Sequence, residues 1–128
     1  MSPMSSTLNK LRYRPGMRVY VVGAPAGFEA TLAAMPSGTV RTKTLGKDLD
    51  LIHAFFTRKS EFERDVGRLK QALRPEGVLW ISYPKGKGLG TDLNRDILRE
   101  AAKKVGLEAV SLVAIDDAWS ALRLKIVT

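Results

Sequence analysis

The fold is decided by the stretch Met17-Arg-Val-Tyr-Val-Val-Gly-Ala-Pro-Ala-Gly27. Its first part, residues 17–23, is rich in β-branched residues and follows the turn signal Arg14-Pro15-Gly16, so it predicts a buried strand. The segment Ala26 to Met35 predicts a helix, which Pro36-Ser37-Gly38 would stop. A strand that runs through a tight turn into a helix is typical of α/β proteins.

Strands and helices continue to alternate outward from this stretch. We predict further strands at 39–44, 49–56, 78–83, 107–115 and 119–127. One helix should begin at a capping box of Ser60 and Glu63 and end at residues 74–77, and a second should begin at Thr91 and close at Gly106.

The last two strands are joined by the short turn Asp116-Asp117-Ala118, so they can only form an antiparallel hairpin. The pattern predicts a three-layer α/β/α Rossmann-like fold with a mostly parallel sheet and this hairpin at its C-terminal end. Residues 1–128 should form a single domain, with 1–12 as a flexible or helical arm.

Composition excludes several kinds of chemistry. The 128 residues contain no cysteine and one histidine, so disulfides, zinc–thiolate sites and multi-histidine metal sites are impossible. The formal net charge is +8. Residues 1–47 hold seven basic residues and one acid, so the excess lies in the first third. This basic region either binds nucleic acid or forms a solvated surface. The absence of aromatic residues among the basic ones favours the solvated surface.

The sequence has no apolar run of about 18 residues and no apolar signal-peptide core near its start. We therefore expect a cytoplasmic protein with no membrane partner. In the last strand Leu122, Leu124 and Ile126 alternate with Ala121, Arg123 and Lys125, so one face should be wet or covered by a partner. Both a monomer and a homodimer stay open.

Three stretches carry a resemblance to a known family. Residues 14–27 look like the first strand and cofactor loop of S-adenosylmethionine-dependent methyltransferases, 48–56 like their fourth strand, and 69–82 like the helix, turn and fifth strand that follow. The usual third strand has no room between Thr44 and Asp48.

The chain also resembles a small bacterial family of uncharacterised, methyltransferase-like proteins. The stretches that suggest it are Val22-Gly-Ala-Pro-Ala-Gly-Phe28, Trp80-Ile-Ser-Tyr-Pro-Lys85 with Thr91-Asp-Leu93, and Ile115-Asp-Asp-Ala-Trp-Ser120. This resemblance implies a fold rather than an activity.

The sequence departs from the methyltransferase pattern where the cofactor would bind. The family's first-strand acid is Val21 here, and its middle glycine is Pro25, which has no N–H. The segment 40–44, where the family's ribose-binding carboxylate would lie, contains no acid; Arg41 or Lys43 would suit a phosphate better. We therefore expect no bound S-adenosylmethionine, no other cofactor and no metal.

Ligands of open parallel sheets bind at the carboxyl ends of the strands. An anion site is predicted there, with cations beside two helix N-termini and glycines that expose backbone amides. Its candidate ligand-binding residues are Gly23, Gly27, Arg58, Lys59, Lys85, Lys87, Thr91, Asp116 and Trp119. The alternative is a surface loop at 84–91 tethered by Thr91, with Asp116 bonding its own turn.

No catalytic residue is predicted. His53 lies in an apolar strand and reads as a hydrogen-bonded core histidine, and Trp80 as a core residue. The function predicted from the sequence is a non-catalytic, methyltransferase-like binding domain for an anionic small molecule or phosphate group. The alternatives are a methyltransferase with an atypical site, and a nucleic-acid or protein interaction module that uses the basic first third.

Overall fold

Strands and helices alternate along most of the chain, in agreement with the sequence pattern. The computed structural model describes residues 6–86 and 90–127. Its elements in chain order are α1 (Ser6–Lys10), β1 (Arg18–Val22), α2 (Ala26–Leu32), β2 (Val40–Thr42), β3 (Leu49–Phe55), α3 (Lys59–Ala72), β4 (Leu73–Pro84), α4 (Arg95–Lys103), β5 (Leu107–Ala114) and β6 (Trp119–Ile126).

These strands form one mixed sheet in the order β2-β1-β3-β4-β6-β5. Strands β2, β1, β3 and β4 are parallel, whereas β6 is antiparallel to both β4 and β5. The predicted mostly parallel sheet and its C-terminal hairpin are therefore confirmed. Residues 43–48 join β2 to β3 without a strand, so the absent third strand is confirmed as well.

Helices cover both faces of the sheet. On one face, α3 and α4 bury Phe62, Val66 and Leu98 against β3, β4 and β6. On the other, Leu8 and Phe28, from α1 and α2, pack in the core that also holds residues of β1, β3 and β4. The structure thus has the three predicted layers.

The N-terminal arm is helical where the structure describes it, and it is part of the core. Leu8, Leu11 and Tyr13 are fully buried. The indole Nε1 of Trp80 donates a hydrogen bond to the Leu11 carbonyl at 2.7 Å, which ties the end of the arm to the middle of β4. Within the predicted arm, Ser6–Lys10 form helix α1, and residues 11–12 follow as a turn.

Both predicted helix starts are wrong. The N-cap of α3 is Arg58, since Glu61 Oε1 accepts from the Arg58 N–H at 3.1 Å; the predicted box of Ser60 and Glu63 lies within the first turns. The N-cap of α4 is Asn94, whose Oδ1 accepts from the Ile97 N–H at 2.8 Å. Thr91 lies outside that helix.

Two further boundaries differ from the prediction, and at the second of them strand pairing overrides a local turn signal. Helix α2 ends at Leu32, before the predicted Met35, and its last residues continue as turns. Residues 74–77 do not separate α3 from the next strand, because Leu73 already pairs with Leu49 across the sheet. A register shift between Leu49 and Leu51 takes up the extra residues.

The C-terminal strand is covered by the chain itself at Ala121, whereas Lys125, farther along the same face, is exposed. Ala121 is fully buried in the core shared with α1 and α2, and Arg123 on the same side is half-buried. The expectation of a wet or partner-covered face is therefore wrong around Ala121.

Candidate functional site

The four parallel strands end at one side of the sheet, which we call the carboxyl edge; it comprises residues 22–25, 43–44, 56–60 and 84–86. In open parallel sheets this is where ligands bind. Most of the predicted site residues lie on or near it, so the geometry there decides what the fold can hold.

Gly23 shapes the turn after β1 for a packing reason. Its φ is +75°, and a Cβ at this position would lie 2.7 Å from the Phe55 carbonyl oxygen. A glycine is therefore required so that β1 and β3 can approach closely. Gly27 lies inside α2, and a Cβ there would meet nothing within 4 Å. The Pro25 carbonyl accepts from the Phe28 and Glu29 N–H groups and starts that helix.

An ion pair lies at the end of β2. The Arg41 guanidinium donates to both carboxylate oxygens of Glu29, at 2.6 and 2.8 Å. These hydrogen bonds hold the pKa of the Glu29 carboxyl below its usual range. Beside the pair is an open cavity of about 330 Å³, lined by Val21, Arg41, Thr42 and Lys43. A guanidinium and an ammonium thus stand at this cavity.

The N-terminus of α3 is already bonded to acids of this chain. Glu61 Oε1 accepts from the N–H groups of Thr57 and Arg58, each at 3.1 Å, and Asp92 Oδ1 accepts from the Lys59 N–H at 2.8 Å. The Thr91 hydroxyl donates to the Thr57 carbonyl at 2.7 Å. These N–H groups already have acceptors, so an anion near Arg58 and Lys59 would have to be held by side chains.

Asp116 binds its own turn. Its Oδ1 accepts from the N–H groups of Ala118 and Trp119, at 2.8 and 2.9 Å. The Lys85 N–H donates to the Ala118 carbonyl, and the Trp119 ring packs edge-on against Phe55, 5.3 Å between centroids. The alternative that assigned Asp116 to its own turn is thus the observed one. Lys87 lies outside the described residues.

The predicted site residues form two tied groups rather than one pocket. Arg58 and Lys59 are linked to the 91–92 segment, whereas Lys85 is linked to the 116–119 turn. Sequence reasoning missed the roles of Glu61, Asp92 and the Glu29–Arg41 pair. No local signal could have indicated Asp92, because its partner is 33 residues away.

His53 is a core residue, as expected from its strand. It is fully buried, with Nε2 2.6 Å from Ser82 Oγ and Nδ1 3.1 Å from the Tyr13 hydroxyl. Burial lowers the pKa of His53 to about 3 and raises that of Tyr13. The imidazole is therefore neutral at physiological pH and accepts at one nitrogen while it donates at the other. It is sealed from any substrate.

No protein-family model matches this sequence, and no curated protein matches it significantly. Solved structures do match. A methyltransferase from Aquifex aeolicus aligns at 15% identity over 94% of this chain and 87% of its own, with a TM-score of 0.64. A ribosomal-protein methylase from Lactobacillus delbrueckii aligns at 14% identity over 95% and 75%, with a TM-score of 0.60.

The chain has the fold of S-adenosylmethionine-dependent methyltransferases. A third match, the 1,6-didemethyltoxoflavin-N1-methyltransferase of Burkholderia thailandensis, shares 12% identity over 98% of this chain and 78% of its own, with a TM-score of 0.62. At these identities the likeness establishes the architecture and leaves the activity to the residues of the site.

The residues of this site do not fit the family's cofactor. A ribose diol would need an acceptor at the end of β2, where Arg41 and Lys43 offer only donors. The one acid nearby, Glu29, is bound by Arg41 through both oxygens. Pro25 supplies no N–H in the loop after β1. We therefore derive no chemistry through S-adenosylmethionine.

Residues 6–86 and 90–127 contain neither a cluster of metal ligands nor a membrane-crossing helix. No group of three or more acidic or histidine side chains there is arranged to hold a metal ion. None of the helices in those ranges is long and apolar enough to cross a membrane.

Proposed function

We propose that this chain is a non-catalytic binding domain that keeps the methyltransferase fold and takes an anionic or phosphate-bearing small molecule at its carboxyl edge. The observation that supports this most directly is the end of β2, where Lys43 lies at a cavity beside Arg41 and has no ion-pair partner among the described residues. A methyltransferase needs a ribose acceptor there, whereas a cation suits an oxyanion.

The cations of the edge support the choice of an anion. Among the described residues, none of the ion pairs involves Arg58, Lys59, Lys85 or Lys43. A cation that is not in an ion pair gains more from a bound phosphate than one already paired. Since the N–H groups of residues 57–59 are already bonded to Glu61 and Asp92, the proposed contact is through the side chains.

A phosphate titration followed by amide NMR tests the proposal. Addition of a small phosphate monoester should move the resonances of residues 57–60, 84–86 and 90–92 in a saturable way. The variant Arg58→Ala/Lys85→Ala should bind at least about a hundredfold more weakly, since it removes two charge-assisted contacts of about 1.5–3 kcal/mol each. Lys104→Ala, which removes an exposed cation from the far end of α4, is the matched control. Unmoved resonances at this edge would contradict the proposal.

The fold itself favours one alternative, a methyltransferase with an atypical site. S-adenosylmethionine at 100 times its Kd would stabilise the folded chain by about 2.7 kcal/mol. We expect millimolar cofactor to leave the thermal unfolding midpoint unchanged. A clear rise in the midpoint, kept in Lys104→Ala, would support the alternative instead.

A further inference from the structure

A second cationic cavity lies at the opposite side of the sheet. It has a volume of about 370 Å³ and is formed where β4 begins and β6 ends, beside the end of α1. Arg12, Arg123 and Lys125 line it together with Val78 and a single acid, Glu76. Its volume is near the lower end of small-molecule sites, which span roughly 300–1,000 Å³.

Arg123 carries a polar atom that the protein leaves unsatisfied. The residue lies across from Trp80 in the β4–β6 pairing and is half-buried, and its Nε is fully buried without a hydrogen-bond partner among the described residues. Burial lowers the pKa of Arg123, and the charge of Arg12 lowers it further. A buried donor without an acceptor is costly, and the like charge of Arg12 adds repulsion. A bound anion would offset that repulsion.

Arg12 occupies a position where helices normally place glycine. It follows the last turn of α1 with φ of +66°, while the Tyr13 N–H donates to the Leu8 carbonyl and the Arg12 N–H to the Asn9 carbonyl. This is the Schellman arrangement, whose left-handed residue is usually glycine because a side chain is strained there. Glycine would be less strained at this position, so the backbone does not explain the arginine. What arginine adds is its guanidinium group.

Acids of the chain do not neutralise this cluster in the described structure. Glu76 is largely exposed, and its carboxylate lies 3.7 Å from Arg74 Nε. Glu108 is opposite Lys125 in the β5–β6 register, yet no ion pair joins the two. The residues outside the described ranges, 1–5, 87–89 and 128, include neither Asp nor Glu. The cavity therefore keeps an excess of positive charge.

We propose that this cavity binds the phosphate group of a small molecule, with Arg12 and Arg123 as the two guanidinium donors. Planar guanidinium groups match the oxygens of a phosphate and form paired, charge-assisted hydrogen bonds with it. Both residues line the cavity, and neither is in an ion pair among the described residues. Residues 75–78 and 84–86 lie at opposite ends of β4, roughly 20 Å apart at a rise of about 3.3 Å per residue. This site is thus independent of the carboxyl edge.

The test uses inorganic phosphate and phenyl phosphate as probes in an amide NMR titration of the full chain. Each should move the resonances of Arg12, Gly77 and Arg123 in a saturable way at concentrations up to about 10 mM, tenfold above a Kd of about 1 mM. Tighter binding of phenyl phosphate would identify a phosphate-bearing organic molecule as the ligand class. Equal binding would identify free phosphate.

Variants separate binding from folding. Arg12→Gly should bind at least tenfold more weakly while its urea midpoint stays the same or rises, because glycine relieves the left-handed strain. Arg123→Gln should also bind at least tenfold more weakly. Glu76→Gln, which removes the one lining acid, should bind severalfold more tightly. Arg99→Ala, on the other face of the sheet, is the control and should bind normally.

Three results would overturn the proposal. The first is that Arg12→Gly binds phosphate as tightly as the unaltered chain. The second is that this variant loses as much free energy of unfolding as it loses free energy of binding. The third is that no saturable shifts appear at this cavity. Shifts confined to residues 57–60 and 84–92 would overturn this site and leave the carboxyl-edge proposal standing. Shifts confined to the cavity would support this site and contradict the carboxyl-edge proposal.

Discussion

At the scale of single residues, His53 shows how burial keeps a potential acid–base group away from any substrate. It lies at the middle of β3, stacked on Phe55 with ring centroids 4.3 Å apart. A protonated Tyr13 hydroxyl can donate to Nδ1, which places the ring proton on Nε2 toward Ser82. The sequence predicts a bonded core histidine from the apolar strand around it. The sequence does not predict its hydrogen-bond partners, because Tyr13 and Ser82 lie 40 and 29 residues away along the chain.

The buried imidazole makes stability depend on pH. The pKa of His53 is about 3 in the folded chain against 6.5 for a free side chain, so below pH 6.5 the unfolded state binds more protons. Its contribution is complete above pH 6.5 and is lost as the pH falls toward 3. We expect the free energy of unfolding to drop by about 2 kcal/mol between pH 7 and pH 5 from this residue alone.

Urea titrations at both pH values measure that drop. In His53→Gln the titrating group is gone, so the difference between pH 7 and pH 5 should shrink by the same amount, whatever the variant's own stability. An unchanged pH dependence in the variant would show that another group is responsible.

Gly23 gives a second prediction at this scale. Gly23→Ala should destabilise the fold by at least about 2 kcal/mol, because φ is +75° and the new Cβ would lie 2.7 Å from the Phe55 carbonyl oxygen. Gly27→Ala, four residues on in a helix with open space, should be neutral or stabilise by up to about 1 kcal/mol. Chemical denaturation of both variants checks this, and equal effects would contradict it.

At the scale of elements, the sequence predicts the type and order of the helices and strands better than the residues at which they begin and end. Apolar periodicity indicates α3 and α4 because it depends on residues three and four apart. Their starts are set by tertiary contacts, such as the bond from the Lys59 N–H to Asp92, which local patterns do not contain. The predicted anion site relied on the N-terminus of α3 for the same reason, whereas Glu61 and Asp92 already accept from the N–H groups of residues 57–59.

The short helix α1 contributes to the core more than its five residues suggest. Leu8→Ala should reduce the free energy of unfolding by about 2–4 kcal/mol, because Leu8 is fully buried and its truncation leaves a cavity. Lys10→Ala, exposed on the same helix, should change it by less than about 0.5 kcal/mol. Thermal or urea unfolding compares the two. A small effect of Leu8→Ala would mean that α1 is dispensable.

At the scale of the whole molecule, the positive charge is not gathered on one surface. Arg18 begins β1 at the amino side of the sheet, whereas Lys43 follows β2 at the carboxyl side, and Arg41 is paired with Glu29. The sequence shows that the first third is basic; it could not show that the fold sends these residues to opposite edges.

This distribution predicts weak binding to nucleic acid. We expect fewer than about three phosphate contacts, so the log of the duplex-DNA binding constant should fall with the log of salt concentration at a slope shallower than about −3. Fluorescence anisotropy between about 50 and 200 mM salt measures the slope. A slope near −6 would instead indicate a continuous basic surface.

The hydrogen bond between Trp80 and Leu11 joins residues 69 apart in the chain. During synthesis the N-terminal segment leaves the ribosome well before its partner strand exists. At roughly 5–20 residues per second, the apolar side chains of Leu8 and Leu11 would wait on the order of 3–14 seconds for β4. Until then they are exposed to chaperones and to neighbouring nascent chains, so this segment stays open to aggregation for longer than core segments whose partners lie nearby in the chain.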